Sequence, residues 1–536
     1  MKSLFLDTRI LDKAARERYF LSEELMMENA AAALERAVLE QIASHTGKNE
    51  TQSVVILCGS GNNGADGYAL ARRLSALRVT RSTDGSDTAN GEDIFRTIMP
   101  VVISVSAPKS ELCKIQAERA AKCDVDCVPL DSEESSMKDK TSLSGEVERL
   151  LSCADIIMDC VFGSGFHGDL DGKTRRLCKK ANAAEAIRIS CDVPTGVRED
   201  GSVSEGAFCA ARTVTMGALK LSLYNDATKD YAGKITCEDL GISRRLFESA
   251  AGDGEHADEK GKPAAQLLEE SDMTLPYRKN QLVNKGSFGH AAVASGEKIG
   301  ASCIAGEAVL HFGAGLVSLV RLGMKFEKSE LPQVTPELMT ASDFPSNTTA
   351  VAFGMGLGRS EGVAKPYFDW LCAHADIPCV VDADACFAPD LPEFLRTKGD
   401  GIVLTPHPKE FQAVLKNCGA GNYTIQECVI ERPRLIEQFC RAFPKTVLLV
   451  KGANPMIGHF DGSQFQLYVN PLGTNALAKA GSGDVLAGLI CALLSQGRDA
   501  LDAAINGSLA HALASRQFKN NYSLTPLSLI EAVARL

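Results

Sequence analysis

The sequence lacks features that would place the protein in a membrane, on nucleic acid or in an oxidising compartment. No apolar run approaches the roughly 18 residues of a membrane-spanning helix, and residues 1–10 contain no continuous apolar segment of a secretory signal. Basic residues are outnumbered, with 57 Lys and Arg against 68 Asp and Glu, so the charge that binds a phosphate backbone is missing. The 18 cysteines form no C-x-x-C pair and no Cys/His cluster at zinc-finger spacing. We therefore expect a soluble, cytoplasmic protein with reduced thiols and neither a nucleic-acid nor a membrane partner.

What the sequence does contain is 45% hydrophobic residues over 536 positions, enough for two or three folded cores. Short β-branched runs alternate with helix-like stretches, which is typical of α/β domains around parallel sheets. A small, charged stretch separates two such regions, so we predict domains at 1–245 and 275–536 with a linker at 246–274. The first should be a doubly wound α/β domain. Strands are predicted at 54–58, 101–105, 156–161, 187–193, 213–216, 291–295, 316–320, 350–353, 379–381, 401–404 and 447–450, a helix from Ser22, and surface insertions at 81–93 and 131–146.

A polar glycine loop follows the first predicted strand. It reads Gly59-Ser60-Gly61-Asn62-Asn63-Gly64-Ala65-Asp66-Gly67. The Gly-x-Gly-x-x-Gly spacing formally matches the dinucleotide fingerprint, but the next strand ends without the acidic residue that would bind a ribose, which disfavours a hydride-transfer domain. The crowded amides and carboxylate favour a loop that holds a cation and a phosphorylated ligand, with an ordinary turn as the alternative.

Two further strand ends carry carboxylates. Asp159 opens a glycine-rich loop that runs to Asp169, and Asp192 opens the loop Asp192-Val193-Pro194-Thr195-Gly196. Since ligands bind outside the carboxyl ends of parallel strands, we expect these loops and the glycine loop to converge on one crevice. Helix capping is the alternative for each aspartate alone.

Together with Met27-Glu28-Asn29-Ala30 and Gly217-Ala218-Leu219-Lys220, these loops resemble the YjeF N-terminal domain, the NAD(P)H-hydrate epimerase family, over residues 1–245. The resemblance implies a Rossmann-like three-layer fold that interconverts the R and S hydroxyl at C6 of hydrated nicotinamide, with Asp192 as the acid/base. It also implies a K⁺ held by Asn63, Asp159 and Thr195. Ala65 replaces a glycine of the family, which would strain the loop if that position needs a positive φ. The implied hydrate site comprises Asn62, Asn63, Gly64, Ala65, Asp66, Gly163, Ser164, Gly165, Phe166, His167, Gly168, Asp169 and Asp192.

The most informative stretch of the second half is a glycine box that runs into a helix. It reads Gly481-Ser482-Gly483-Asp484-Val485-Leu486-Ala487-Gly488. Small residues at a helix start leave N–H groups free for a phosphate. A carboxylate at that point can deprotonate a hydroxyl that attacks a phosphoryl group, which makes Asp484 a candidate base. Its alternative role is the helix N-cap.

Other polar motifs also lie at predicted strand ends and support nucleotide chemistry. They are Gly354-Met355-Gly356-Leu357-Gly358, Asp382-Ala383-Asp384, Pro406-His407-Pro408-Lys409-Glu410-Phe411 and Lys451-Gly452-Ala453-Asn454-Pro455. Asp382 and Asp384 would lie close to a Mg²⁺. The alternative is that they only pack against neighbouring residues and cap a helix.

With Asn284–His290, Gly300-Ala301, Gly313–Leu316 and Pro336-Glu337, this set is similar to the NAD(P)H-hydrate dehydratase family of ribokinase-like enzymes over residues 275–536. The departures are Ile299 for a usual tyrosine and Asn506 for a usual histidine. The resemblance implies that Ala301, Gly356, His407 and Asp484 face the hydrate and that Lys451, Gly452, Ala453, Asn454, Pro455 and Gly483 hold the nucleotide.

The prediction is therefore a bifunctional repair enzyme that epimerises NAD(P)H hydrate and dehydrates its S form. By resemblance to fused families the phosphoryl donor is ADP, which gives AMP, rather than ATP, with Mg²⁺ at this site and K⁺ at the epimerase site. A homo-oligomer is expected from the exposed helices of such domains. The alternative is a small-molecule hydroxyl kinase fused to a non-catalytic ligand-binding module, because ribokinase-like folds share the Gly-x-Gly-Asp box.

Overall fold

The structure is a computed structural model that describes residues 1–44, 51–75, 77–81, 94–130, 143–252, 261–327 and 337–536. The chain divides into two compact units. One is Ser3–Ala264, and the other consists of Ala265–Leu536 together with Met1–Lys2. The division falls inside the segment 246–274, which the sequence predicts as a linker. Among the described residues, no helix has the length and apolarity to cross a membrane.

The N-terminal unit alternates strands and helices along the chain. Its elements are β1 (Lys2–Phe5), α1 (Arg9–Tyr19), α2 (Glu23–Ser44), β2 (Thr51–Cys58), α3 (Asn62–Leu74), β3 (Arg78–Arg81), β4 (Ile94–Ser104), α4 (Glu111–Ala121), β5 (Asp126–Pro129), α5 (Gly145–Cys153), β6 (Ile156–Cys160), α6 (Gly172–Ala183), β7 (Ile187–Cys191), β8 (Arg212–Met216), β9 (Leu219–Lys220), α7 (Lys229–Ala232), β10 (Lys234–Glu238) and α8 (Arg244–Glu248). The strands predicted for this half are confirmed, and α1, β1, β3, β5, β9 and β10 are additional. The predicted insertions lie almost wholly outside the described residues.

The main sheet of this unit has the order β10-β8-β7-β6-β2-β4, with all these pairs parallel. Both faces are covered, because Val54 and Ile56 of β2 belong to one apolar core while Val55 and Leu57 belong to another. The chain goes from β2 to β4 on one side and later to β6 on the other, so the strand order reverses at β2. This doubly wound, three-layer arrangement confirms the predicted fold class and places a crevice at the carboxyl ends of β2 and β6.

Helix α2 shows how the local sequence sets an element. The Ser22 hydroxyl accepts a hydrogen bond from the Leu25 N–H at 3.1 Å, which satisfies one free donor of the first turn. Glu23 and Glu24 occupy the positive end of the helix, and its Ala- and Leu-rich face packs into the core. The helix predicted from Ser22 is thereby confirmed.

The C-terminal unit follows the same alternation. Its elements are β11 (Ala265–Leu267), β12 (His290–Ala294), α9 (Ile299–His311), β13 (Leu316–Val320), β14 (Met339–Ala341), β15 (Ala350–Phe353), α10 (Lys365–Ala373), β16 (Cys379–Val381), α11 (Leu391–Lys398), β17 (Ile402–Leu404), α12 (Pro408–Asn417), α13 (Ile425–Ile430), α14 (Arg432–Ala442), β18 (Val447–Val450), β19 (Met456–Phe460), β20 (Phe465–Val469), α15 (Ser482–Ser495), α16 (Ala500–Ser515) and α17 (Pro526–Val533). The six strands predicted here are confirmed, and β11, β14, β19 and β20 are additional.

Its sheet runs β14-β13-β12-β15-β16-β17-β18 in parallel, followed by antiparallel β19 and β20. Ala350 and Ala352 of β15 face the core formed with α9, α15 and α16, whereas Phe353 packs on Phe368 and Phe394 of α10 and α11 on the opposite face. The carboxyl ends of β15 to β18, where the predicted motifs lie, therefore form one edge of the sheet.

Candidate active sites

In the N-terminal unit, the predicted loops after β2, β6 and β7 meet around one cavity. Because these strands are neighbours in the sheet, their carboxyl ends are adjacent. The cavity has a volume of ~580 Å³. Of the predicted hydrate residues, Asn62, Asn63, Asp66, Gly163, Ser164, Gly165, Phe166 and Asp192 line it.

Glycines let two of these loops approach each other closely. A Cβ at Gly59 would lie 2.0 Å from the Val161 carbonyl oxygen, and a Cβ at Gly64 would lie 2.0 Å from the Gly59 carbonyl oxygen. Ala65 is buried within α3 and has no positive φ, so the strain expected from its replacement of a glycine does not arise.

Asp192 projects its carboxylate into the cavity from an unusual backbone position. Its φ is +66°, a left-handed conformation that Asp tolerates better than most residues. Its Oδ1 lies 2.6 Å from the Lys220 Nζ, and its Oδ2 accepts a hydrogen bond from the Ser164 N–H at 3.2 Å. Burial raises the pKa of Asp192, but the Lys220 ammonium outweighs it and the net pKa is lowered. Asp192 is therefore ionised at neutral pH.

Asp159 lies beneath the loops and is fully buried. One carboxylate oxygen accepts hydrogen bonds from the Thr195 hydroxyl at 2.7 Å and the Val161 N–H at 3.2 Å, and the other accepts from the Thr195 N–H at 2.7 Å. Burial raises the pKa of Asp159 to about 6, although these hydrogen bonds oppose the rise. Within the described part of the chain, no cationic side chain pairs with this carboxylate.

The Asn63 side chain is close to the same loops. Its Nδ2 is buried and makes no hydrogen bond among the described residues, and its Oδ1 lies 3.4 Å from the point where a Gly163 Cβ would stand. An orphaned amide donor at the cavity indicates a place where a ligand could accept its hydrogen bond.

The remaining predicted hydrate residues lie outside the cavity lining of the described chain. Gly64 and Ala65 are buried in α3, and His167, Gly168 and Asp169 are exposed. The Asp169 carboxylate pairs instead with Arg198. Gly64 and Ala65 therefore pack within the first turns of α3, and the other three residues lie in the loop after β6.

In the C-terminal unit, Asp484 stands in the first turn of α15. The N-cap is Gly481, at φ +88°, so the capping alternative for Asp484 is wrong. No hydrogen bond or ion pair engages the Asp484 carboxylate among the described residues. Burial raises its pKa to about 7, and the charge of Asp382 adds to the increase while Lys451 opposes it. The Asp484 carboxyl group therefore has a pKa close to neutral pH and no side-chain partner among the described residues.

Lys451 joins the strand-end loops next to Asp484. Its Nζ lies 2.7 Å from Asp382 Oδ1 and 3.6 Å from Glu410 Oε2, and its N–H donates to the Pro406 carbonyl at 2.8 Å. It also lies 3.3 Å from the point where a Gly483 Cβ would stand, so glycine leaves room for it at the helix start. Burial lowers the pKa of Lys451, but the two carboxylates outweigh it and raise the pKa overall. A cation is therefore fixed beside free backbone N–H groups, an arrangement that binds phosphate.

His407 caps α12 and faces solvent on one side. Its Nδ1 accepts from the N–H groups of Lys409 and Glu410, and its Nε2 lies 3.1 Å from Glu410 Oε1. Burial, with Lys451 second, lowers the pKa of His407. The imidazole is therefore neutral at pH 7.

Gly356 and Ala301 come together at another strand end. Gly356 has a φ of +59°, and its carbonyl accepts from the Lys298 N–H just before α9. A Cβ at Gly356 would lie 3.1 Å from that of Ala301. The predicted nucleotide residues Gly452 and Ala453 are exposed, Pro455 is half-buried, and the buried Asn454 accepts a hydrogen bond from Arg432 through its carbonyl.

The two departures from the dehydratase pattern lie in structural positions. Ile299 starts α9 and packs against the core. The Asn506 side chain accepts from the Thr274 N–H at 2.6 Å and donates to Asp502 at 2.8 Å, so it ties α16 to the start of the unit.

Comparison with known proteins connects this geometry to a family. A model described as YjeF-related protein N-terminus matches residues 23–222, and a model described as NAD(P)H-hydrate dehydratase matches residues 292–535. The bifunctional NAD(P)H-hydrate repair enzyme of Helicobacter pylori is 41% identical over 538 aligned residues, covering 100% of both chains. The chain belongs to the bifunctional NAD(P)H-hydrate repair enzyme family.

A more distant repair enzyme, from Thermofilum pendens, is 28% identical over 95% of this chain and 90% of its own. Among solved structures, the ADP/ATP-dependent NAD(P)H-hydrate dehydratase of Bacillus subtilis, co-crystallised with ATP and Mg²⁺, is 23% identical with a TM-score of 0.42 and covers 51% of this chain and 97% of its own. Membership of the repair-enzyme family confirms the predicted family and enzyme class. It also confirms that an epimerase-type half is fused to a dehydratase-type half.

Sequence reasoning did not assign Lys220, Glu410 or Asp12 to these sites. Lys220 ends β9 and Glu410 lies in the first turn of α12, and the available signal was that each belongs to a motif that follows a predicted strand. Asp12 of α1 lines the N-terminal cavity, but no sequence motif includes it.

Proposed function

We propose that the N-terminal unit epimerises the R and S forms of NAD(P)H hydrate and that the C-terminal unit dehydrates the S form with ADP as phosphoryl donor. The observation that carries the proposal is the free Asp484 carboxylate, with a pKa near 7, beside Lys451 at the start of α15. A base matched to neutral pH next to an anion-binding helix end is what hydroxyl phosphorylation requires.

In the C-terminal unit, hydroxide is a poor leaving group, so direct loss of water from C6 is slow. Asp484 removes the proton of the C6 hydroxyl as its oxygen attacks the terminal phosphoryl group of ADP, and AMP departs. The phosphate group then leaves C6 with the electron pair of the C–O bond, the C5 proton passes to the departing phosphate, and the C5=C6 double bond of NAD(P)H forms. Lys451 and the N–H groups at the start of α15 stabilise the phosphoryl charge.

The residues around Lys451 fit a Mg²⁺ that accompanies the nucleotide. Ligand atoms of Asp382, Cys386 and Glu410 lie within 4.8 Å of one another, and the two carboxylates are the hard oxygen donors that Mg²⁺ prefers, unlike the Cys386 thiol. When bound, the ion would neutralise phosphate charge. Asp382 and Glu410 would hold it.

In the N-terminal unit, the ionised Asp192 is the acid/base at C6. The residues Asn63, Asp159 and Thr195 fit the K⁺ implied by the resemblance, because they offer neutral and anionic oxygens and the buried Asp159 has no cationic partner among the described residues. When bound, the ion would supply that counter-charge and steady the loops around the hydrate.

The experiment is to incubate the full-length chain with mixed R and S hydrate and either ADP or ATP. The return of reduced-nicotinamide absorbance and the nucleotide products are followed together. Complete conversion with AMP formation supports both activities and the choice of ADP. Faster turnover with ATP contradicts that choice, and a phosphorylated product that accumulates without NAD(P)H contradicts the dehydratase assignment in favour of a kinase. The homo-oligomer expected from the sequence stays part of the proposal and is measured by light scattering.

A further inference from the structure

Helix α1 forms one wall of the N-terminal cavity and lies before residues 23–222, the part matched by the family model. Its Leu11 and Ala15 are fully buried in the core. Thr8, Asp12 and Arg16, spaced four residues apart, line the cavity. The helix thus presents a polar face to the site.

The strand pairing explains why α1 lies there. β1 pairs in parallel with β9, and the register places Phe5 beside Lys220. Lys220 holds the Asp192 carboxylate, so the chain enters α1 next to that ion pair. The fold therefore brings a segment from the start of the chain to the groups that face C6.

The Asp12 carboxylate makes no hydrogen bond or ion pair with any residue that the structure describes. Burial raises its pKa to about 6; the Lys220 charge opposes this rise and the Asp192 charge adds to it. The other charged groups that face the cavity are Arg9, Arg16, Glu23 and Asp66, and Asp7 precedes the helix.

Asp12 and Asp192 are thus carboxyl groups in one cavity with opposite tendencies. The Lys220 contact lowers the pKa of Asp192, whereas burial raises the pKa of Asp12 to about 6, so Asp12 keeps a proton at pH values where Asp192 has lost its own. Asp66 is also pushed toward the protonated form by burial and by Asp192, but its Oδ2 already lies 3.9 Å from the Cys191 thiol. Pairs whose pKa values are pushed apart mark acid and base roles.

We propose that Asp12 is the proton donor that complements the base Asp192 during epimerisation at C6. The inference rests on the proposed epimerase function and adds a second group to its chemistry.

The proton balance of the reaction requires such a pair. Asp192 removes the C6 hydroxyl proton while the C6–N1 bond breaks, its electron pair goes to N1, and N1 takes a proton from Asp12. The product is an open-chain aldehyde, whose C6–C5 bond can rotate. In the return step N1 attacks the other face of the carbonyl, ionised Asp12 regains the N1 proton, and protonated Asp192 returns its proton to the oxygen. Both groups end as they began.

The test measures R-to-S exchange without nucleotide, by chromatographic separation of the epimers and subtraction of the uncatalysed rate. In Asp12→Asn we expect the exchange rate to fall by about 10²-fold or more. Glu17→Gln is the matched control, since this exposed acid lies on the same helix with only a 4.0 Å contact to Lys13. It should exchange at the wild-type rate. Asp12→Glu should exchange epimers faster than Asp12→Asn, because it keeps a carboxyl group. This variant still tests the proposal if Asp12→Asn does not fold.

A pH profile separates proton donation from a structural role. The wild-type exchange rate should fall as pH rises above the pKa of Asp12, and this fall should be absent from the residual activity of Asp12→Asn. Exchange within two-fold of wild type in Asp12→Asn, or a slow variant with the same alkaline fall, overturns the proposal. Dehydration of pure S hydrate should be unchanged in every variant. Wild-type protein that exchanges no epimers refutes the epimerase function itself, an outcome distinct from failure of the Asp12 assignment.

Discussion

Replacement of Asp484 by asparagine tests the dehydratase assignment most directly. The change keeps the size of the side chain and removes the only proposed base at the start of α15. General-base catalysis contributes about 10²- to 10⁴-fold, which corresponds to roughly 3–5.5 kcal/mol of activation free energy. We therefore expect S-hydrate dehydration to fall by at least about 10²-fold, while epimer exchange continues at the wild-type rate.

The pH dependence follows from the raised pKa of Asp484. Because the base acts when ionised, the wild-type dehydration rate should decrease about tenfold for each pH unit below roughly pH 7, and Asp484→Asn should lack this limb. The free energy of unfolding should change with pH in the opposite direction to the rate. The folded pKa of about 7 exceeds the ordinary value of 3.8, so the native unit loses stability as pH rises through this window. The asparagine variant escapes that loss and should melt at a higher temperature at pH 8.

The assay follows reduced-nicotinamide absorbance with pure S hydrate and ADP, and calorimetry gives the melting temperature. Glu531→Gln serves as the control, because this exposed acid of α17 lies in the same unit away from the strand-end loops. Full dehydration activity in Asp484→Asn, or an unchanged acidic limb, would refute the assignment of the base.

Three further substitutions and one control substitution test the N-terminal unit. Asp159→Ala removes the buried carboxylate and should abolish use of R hydrate while sparing S hydrate, as shown by a recovery that stops at the S fraction; full recovery contradicts its role. Lys220→Met removes the cation that lowers the pKa of Asp192, so the acidic limb of epimer exchange should move to higher pH, and an unmoved limb contradicts the ion pair. Gly64→Ala places a Cβ 2.0 Å from a backbone oxygen and should destabilise the unit by about 1–3 kcal/mol in urea unfolding. Gly61→Ala meets nothing within 4 Å and should be near neutral; equal effects refute the packing argument.

The sequence predicted the parts of both sites that lie where buried strands meet glycine-rich loops. Asp192 and Asp484 were identifiable because strand ends in parallel sheets gather at one edge. The contacts of Lys451 with Asp382 and Glu410 join loops after different strands, and their distances depend on packing that no local pattern records.

Asp12 was missed for a clear physical reason. β1 is short and pairs with β9, more than 200 residues away, so no local signal indicates that α1 reaches the cavity. Helix α1 also turns a polar face toward the site, and a polar helix face ordinarily indicates exposure to solvent. The long-range strand pairing and the polar face of a helix that lines a cavity together hid the residue.

The left-handed backbone at Asp192 restricts which variants can occupy that position. Gly, Asn and Asp adopt such a conformation at the smallest cost, so most other replacements would strain the turn as well as remove the carboxylate. Of these three amino acids, aspartate alone ionises. The left-handed backbone and the need for an ionisable side chain therefore both limit which residues can stand at position 192. Asparagine meets the first requirement and not the second, so Asp192→Asn separates the two.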